Sequence, residues 1–236
     1  PRDAQLRSSA SFGKGVFDMA ADYTSQAGCC QNAMLSKTNI GDMAKPHKKL
    51  ILASTSVYRA QLLDRLLVSY QQVSPHVDEK RILNERYADL AARLSEEKAS
   101  GVTESHCLVI GSDQVAVLDN EQLHKPGSVA KAKAQLAKAS EKTIHFYTGV
   151  SLRDTDSGRC QTQVVEYRAT LRKLSSEDIS RYVLQDQPLD CAGAFRWESL
   201  GIALMAKLEG NDPTALQGLP LIALSNMLRA EGYLLP

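Results

Sequence analysis

The chain has 236 residues, a formal net charge of +1, and 43% hydrophobic and 23% charged residues. That length allows one large domain or two small ones with a substantial core, and the charge balance argues against a protein that coats nucleic acid. No apolar run reaches the roughly 20 residues of a membrane span and no secretory signal is visible; five cysteines without metal-ligand spacing fit a reduced, cytoplasmic protein.

Residues 1–47 carry scattered small and polar residues, such as Ser8, Gly13, Gly28 and Asn39, without a sustained period. They read as a flexible N-terminal extension in which the adjacent Cys29 and Cys30 are incidental; an ordered addition is the other reading. Pro1 is no initiator and Met43 opens a new stretch, so the functional domain is expected over residues 48–236. The aliphatic run Leu50–Leu52 predicts a short buried strand. Ser54, Thr55 and Ser56 form a polar turn into a helix with Leu62, Leu63, Leu66 and Leu67 on one face. Strand, hydroxyl-rich turn and helix together aim N–H groups and hydroxyls at an anion, and Arg59 in the first turn is placed to grip phosphate. An ordinary N-capped helix with a surface arginine fits the same residues.

Tyr70–Val77 reads as a second strand ending at Asp78 and Glu79, and residues 85–100 as an amphipathic helix with Lys98 near its end. Leu108–Ile110 is a compact apolar run that Gly111-Ser112-Asp113-Gln114 breaks before Val115–Leu118 resumes as strand. Asp119-Asn120 signals a turn, and Ser128 caps an Ala/Lys helix ending near Ala139. Thr143–Leu152 and Gln161–Leu171 alternate as antiparallel strands joined by a turn at 154–159. Ser175 and Asp178 resemble a capping box for a helix through Leu184. A Gly-containing loop over 191–198, a strand over 202–208, a turn-rich loop over 209–218 and a helix beginning at Pro220 complete the chain. The expected fold class is α/β, a mixed sheet flanked by helices, because the paired strands of the second half exclude an all-parallel sheet.

Six polar residues fall at the ends of separate elements: Ser54, Arg59, Glu79, Lys98, Asp113 and Lys125. Basic groups and hydroxyls suit phosphate oxygens, and paired carboxylates suit a hard divalent cation that is already coordinating phosphate. Asp113, between two apolar runs, is the best single candidate for a metal ligand or a base for water. Each also has a plain reading: Asp113 caps a turn, Glu79 and Lys98 are solvated, and Lys125 flanks Pro126.

The ordered set LASTSxxR, VDE, EKA, VIGSDQ, HKP, TGV, CAGAF and EGNDPTALQGLPL resembles the Maf family of nucleoside triphosphate pyrophosphatases over residues 49–232. The resemblance implies an elongated mixed α/β fold of the inosine-triphosphatase-like kind, with a nucleotide cleft, a divalent metal cofactor (Mg²⁺, Mn²⁺ or Co²⁺), and hydrolysis of a nucleoside triphosphate to monophosphate and pyrophosphate. Matched motif by motif, Ser54 and Arg59 would hold phosphates, Glu79 and Asp113 would handle metal and water, and Lys98 and Lys125 would neutralise charge. The implied partner is the nucleotide alone, without nucleic acid polymer or membrane, and a homodimer is left open.

The family commonly shows Ser-Pro-Arg-Arg where this chain has Ser56-Val57-Tyr58-Arg59, Thr where Gln114 stands, and Gln where Glu198 stands. An aromatic residue, Gln and Glu at these places resemble the branch that hydrolyses 7-methyl-GTP, which usually has Trp at the position of Tyr58. The chemistry fits: a cationic N7-methylguanine stacks on an aromatic face, and its adjacent N1–H and amine donors meet one carboxylate. A uracil edge, acceptor–donor–acceptor, suits a carboxylate poorly. Core packing for Tyr58 and a surface ion pair for Glu198 are the plain readings, and Trp197 reads as packing, with a place in the pocket wall as the other reading. The alternatives to a 7-methyl-GTP pyrophosphatase are the UTP/dTTP branch and a non-catalytic nucleotide-binding regulator.

Overall fold

The computed structural model describes residues 48–236; the expected N-terminal extension lies outside the described residues. The elements in chain order are β1 (Lys49–Ala53), α1 (Val57–Asp64), β2 (Gln71–Val73), α2 (Tyr87–Ser100), β3 (Cys107–Leu118) and β4 (Glu121–Leu123). They continue with α3 (Val129–Ala139), β5 (Thr143–Asp154), β6 (Cys160–Leu171), α4 (Ser176–Asp186), β7 (Met205–Gly210) and α5 (Leu221–Ala230). Short 3-10 turns occupy Leu200–Leu204 and Pro213–Gln217. The strands form one mixed seven-stranded sheet in the order β2-β1-β3-β5-β6-β7, with β4 paired to β3. β1 runs parallel to both β2 and β3, and the remaining pairs are antiparallel. Among the described residues no helix is long and apolar enough to cross a membrane.

β1 is apolar from Leu50 to Ala53 because both of its faces are covered. One face of the sheet carries α2, with Leu90, Ala91 and Leu94 against Val115 and Val117. On the other face the apolar residues fall into two blocks. Leu108, Ile110, Val150 and Leu152 pack with α1 and α5, and Ala116, Leu118, Ile144 and Phe146 pack with α3 and α4. Between the blocks lies a polar band, Ser112, Gln114 and Thr148, which hydrogen-bonds the loop around Pro213–Gln217.

This band corrects the expectation that residues 111–114 interrupt a strand. β3 runs unbroken for 12 residues, and Asp113 pairs in register with Gly149 of β5. The polar residues mark a change in what covers the sheet, not a break in its backbone. Gly111 has a packing reason: a Cβ there would lie 2.1 Å from the backbone oxygen of Ser95 in α2, and one at Gly149 would lie 2.2 Å from that of Ala91. The two glycines let α2 lie directly on the sheet.

Other boundaries moved. The predicted strand over 70–77 is only three residues, because Pro75 cannot donate to a ladder and the following residues enter a loop. The strand expected over 202–208 begins at Met205, after a 3-10 turn, and the strand β4 follows the 119–120 turn, where the sequence shows too few residues for a periodic signal. The caps agree with expectation. Ser128 accepts from the Lys131 N–H, and Ser175 and Asp178 form the reciprocal capping box of α4.

Candidate active site

A cavity of about 870 Å³ opens beyond the carboxyl ends of the parallel strands β1 and β2, the position favoured for ligands in sheets of this kind. All nine residues singled out in the sequence line it: Ser54, Tyr58, Arg59, Glu79, Lys98, Asp113, Gln114, Lys125 and Glu198. The resemblance motifs, spread over the whole domain, therefore converge in space.

At its floor, Lys98 of α2 donates from Nζ to Oδ1 of Asp113 at 2.6 Å, and Oε1 of Glu79 lies 2.6 Å from the same nitrogen. Lys98 and Asp113 are buried, at 6% and 7% exposure, while the Glu79 side chain is mostly exposed. Burial raises the Glu79 carboxyl, but the Lys98 hydrogen bond and the Lys98, Arg59 and Lys125 charges outweigh it and hold the group below its ordinary value. Lys125 reaches the site from the loop after β4 and is exposed to solvent.

Arg59 is tethered on two sides. Its Nε donates to the Gly218 carbonyl at 2.7 Å and its Nη1 to Ser54 Oγ at 3.2 Å, so the guanidinium is oriented by the protein itself. Burial lowers its pKa from the ordinary value, opposed by the Asp113 and Glu79 carboxylates. Ser54 is 3% exposed and also accepts the Ser56 N–H at 3.1 Å, while Ser56 caps α1. Gly218 has φ +93°, and its carbonyl also accepts from buried Ser112 at 2.8 Å. The loop that presents it is built by Asp212, which accepts from the Thr214 and Ile222 N–H groups at 3.0 and 2.9 Å.

The far wall is aromatic and acidic. Tyr58 donates from its hydroxyl to Asp190 Oδ1 at 3.3 Å. Burial, reinforced by the neighbouring Cys191 and Asp190 and opposed by a hydrogen bond from Arg196, pushes its phenol up to about 12. Tyr58 thus stands at the cavity edge and not in the core. Burial raises the Glu198 carboxyl above its usual value, helped by the nearby Asp186 charge and opposed by its own backbone N–H, the Arg196 charge and Gln217. Gln114 has a different arrangement from the one expected of a pure substrate contact. Its amide nitrogen donates to the Ala215 and Leu216 carbonyls at 2.6 and 3.1 Å and lies 3.3 Å from Thr148 Oγ1. Its two amide hydrogens are engaged by the protein, which leaves the carbonyl oxygen for any ligand.

The sequence reading overlooked Asp190, Arg196, His124 and Gln217, which also line the cavity. The only signal was their position inside or beside quoted motifs. Trp197 packs against the larger apolar core and does not line the cavity, so the packing reading holds and the pocket-wall reading does not.

The Maf-like protein family model matches residues 49–231. A 7-methyl-GTP pyrophosphatase from Aromatoleum aromaticum is 50% identical over 192 residues, spanning 80% of this chain and 99% of the relative. One from Pseudomonas putida is 45% identical over 189 residues, spanning 79% and 98%. A HAM1 protein structure from Coxiella burnetii aligns with 78% of this chain and 99% of its own at TM-score 0.41 and 12% identity, a level that adds nothing to the assignment. A family model covering nearly all the described residues, and relatives matched along almost their whole length, place this chain in the Maf-like protein family.

Proposed function

We propose that this chain hydrolyses 7-methyl-GTP, or a closely similar modified purine nucleoside triphosphate, to the nucleoside monophosphate and pyrophosphate. The observation that carries the reading is that one cavity is lined both by cationic and hydroxyl groups gathered around Asp113 and Glu79 (Ser54, Arg59, Lys98, Lys125) and by Tyr58 and Glu198, which flank Arg196. The first set suits a triphosphate. The second suits a cationic base with adjacent donors, stacked on Tyr58 and accepted by Glu198. Relatives named for this substrate support the same reading.

In this reading water attacks the α-phosphorus, its proton passes to the Asp113 carboxylate, and the α–β bridging oxygen leaves with pyrophosphate. Arg59, held by Gly218 and Ser54, orients the phosphates without first having to order itself. Lys98 and Lys125 face the charge that develops on the leaving group. Glu79 and Asp113 both lie against the Lys98 ammonium, and their carboxylates are the groups that would hold a divalent cation brought in with the phosphates. Among the described residues no cluster of three or more His, Cys, Asp or Glu side chains suits a metal. Two carboxylates with phosphate oxygens and water are the ordinary surroundings of Mg²⁺. Such a cation would neutralise phosphate charge and make phosphorus more electrophilic. The substrate implies a cytoplasmic setting, where a non-standard nucleotide would be cleared before polymerases meet it.

The test is pyrophosphate release from 7-methyl-GTP, GTP, UTP and dTTP with Mg²⁺, Mn²⁺ or Co²⁺ and with chelator. Preferential, cation-dependent release from 7-methyl-GTP is expected. A preference for UTP or dTTP would assign the chain to the other branch, and binding without release would make it a regulator.

A further inference from the structure

Glu198 sits in a turn held on both sides by one carboxylate that lies outside the cavity. Asp186, at the end of α4, is 5% exposed and is not among the cavity-lining residues. Its Oδ1 accepts from Nη2 of Arg196 at 2.7 Å and from Oγ of Ser199 at 2.7 Å. Arg196 donates to the backbone carbonyl of Asp186 as well. One turn earlier on the same helix, the buried Tyr182 hydroxyl accepts the Arg196 backbone N–H at 2.9 Å. The chain then folds back so closely that a Cβ at Gly201 would lie 2.2 Å from the Arg196 carbonyl oxygen. Residues 196 and 199 are therefore fixed to α4, and Glu198 is carried between them.

We propose that Asp186 is a specificity-determining positioning residue: it fixes the Arg196–Ser199 turn so that the Glu198 carboxylate meets the edge of the base. This rests on the reading of Glu198 given above. A carboxylate that must accept from two adjacent donors needs a defined direction, and an untethered turn would have to lose its freedom on binding. Asp186 does not line the cavity; it acts on Glu198 through Arg196 and Ser199 and through its own negative charge, which raises the Glu198 carboxyl.

The test is a double-mutant cycle on the full chain, with KM and kcat for 7-methyl-GTP, GTP and UTP in Asp186→Asn, Ser199→Ala, Glu198→Gln and the paired variants. Asp186→Asn is expected to raise KM for both guanine nucleotides by about tenfold to a hundredfold, the scale of a misplaced positioning group, with a small effect on kcat and on UTP. Ser199→Ala keeps the Arg196 pair, is expected to shift KM in the same direction by less, and serves if Asp186→Asn does not fold. Combined with Glu198→Gln, either variant should add little, because both act through one group. Equal losses on all three substrates, or effects that multiply independently of Glu198→Gln, would overturn the proposal and leave Asp186 as a support of the fold. If Glu198→Gln itself leaves selectivity unchanged, the base-reading role of Glu198 falls and this proposal with it. A selective Glu198→Gln beside an unselective Asp186→Asn overturns only the positioning role.

Discussion

Lys98 Nζ and Asp113 Oδ1 meet at 2.6 Å, both buried, although one belongs to a helix and the other to the central strand 15 residues later. The contact depends on glycine. With any side chain at position 111, α2 would have to move away from β3, and Lys98 with it. The same pair sits at the cavity floor, so helix–sheet packing and the candidate chemistry share one geometry.

Asp113→Asn is expected to lower turnover by about 10²–10⁴-fold, because an amide is neither a base nor an anionic ligand. Its carbonyl still accepts from Lys98, and Glu79 still balances the ammonium, so the fold and nucleotide binding survive. Pyrophosphate release and equilibrium binding, measured on the same preparation, check this. Near-normal turnover would remove Asp113 from the mechanism.

Lys98→Met removes the shared cation and leaves a buried carboxylate unpaired. Breaking a buried pair from one side costs about 3–5 kcal/mol, so unfolding in urea should shift to markedly lower concentration. An unchanged midpoint would mean that Asp113 is accommodated without its partner.

Gly218→Ala tests the loop that orients Arg59. Alanine at φ +93° is strained, and its Cβ would lie 3.3 Å from Arg59 Nε. A loss of about 1–3 kcal/mol is expected from the backbone alone, with a rise in KM as the guanidinium is displaced. Thermal unfolding and substrate titration read the two effects separately.

Tyr58→Ala should weaken 7-methyl-GTP hydrolysis more than GTP hydrolysis, since a cationic ring gains about 0.5–2 kcal/mol from an aromatic face that a neutral ring lacks. Tyr58→Phe keeps the face and loses the Asp190 hydrogen bond, so most of the preference should remain. Parallel losses in kcat/KM for both nucleotides would argue for packing alone.

Asp154 is one of the carboxylates that tie stability to acid pH. The Lys48 hydrogen bond, opposed by burial and helped by the Asp156 N–H and Ser157, lowers its carboxyl to about 2. A folded pKa below the unfolded one contributes stability above the unfolded value and loses it as pH falls through the folded value. Asp154→Asn should therefore lower stability at neutral pH by about 1–2 kcal/mol, after allowance for the partly exposed Lys48, and flatten the stability curve between roughly pH 4 and pH 2. Unfolding midpoints across that range decide it, and an unchanged slope would assign the acid sensitivity to other carboxylates.

Much of this molecule was legible locally. The buried run of β1, the alternation of β5 and β6, and the caps of α3 and α4 are written in neighbouring residues, because short-range sterics and hydrogen bonds decide them. The motifs also contain most of the candidate residues that share one cavity (Ser54, Arg59, Glu79, Lys98, Asp113, Gln114 and Lys125), since each motif keeps its chemistry within a few positions. What the chain alone did not disclose was pairing across distance. Ser112-Asp113-Gln114 looked like a break because its partners, the 215–218 loop on one face and Lys98 on the other, are remote in sequence. Asp186 carried no local sign of its tie to Arg196 and Ser199, nor Asp190 of its tie to Tyr58. Periodicity reports which side of an element is buried; only the packed sheet and its loops decide which polar group a buried side chain meets, because that depends on the relative placement of elements and not on the element itself.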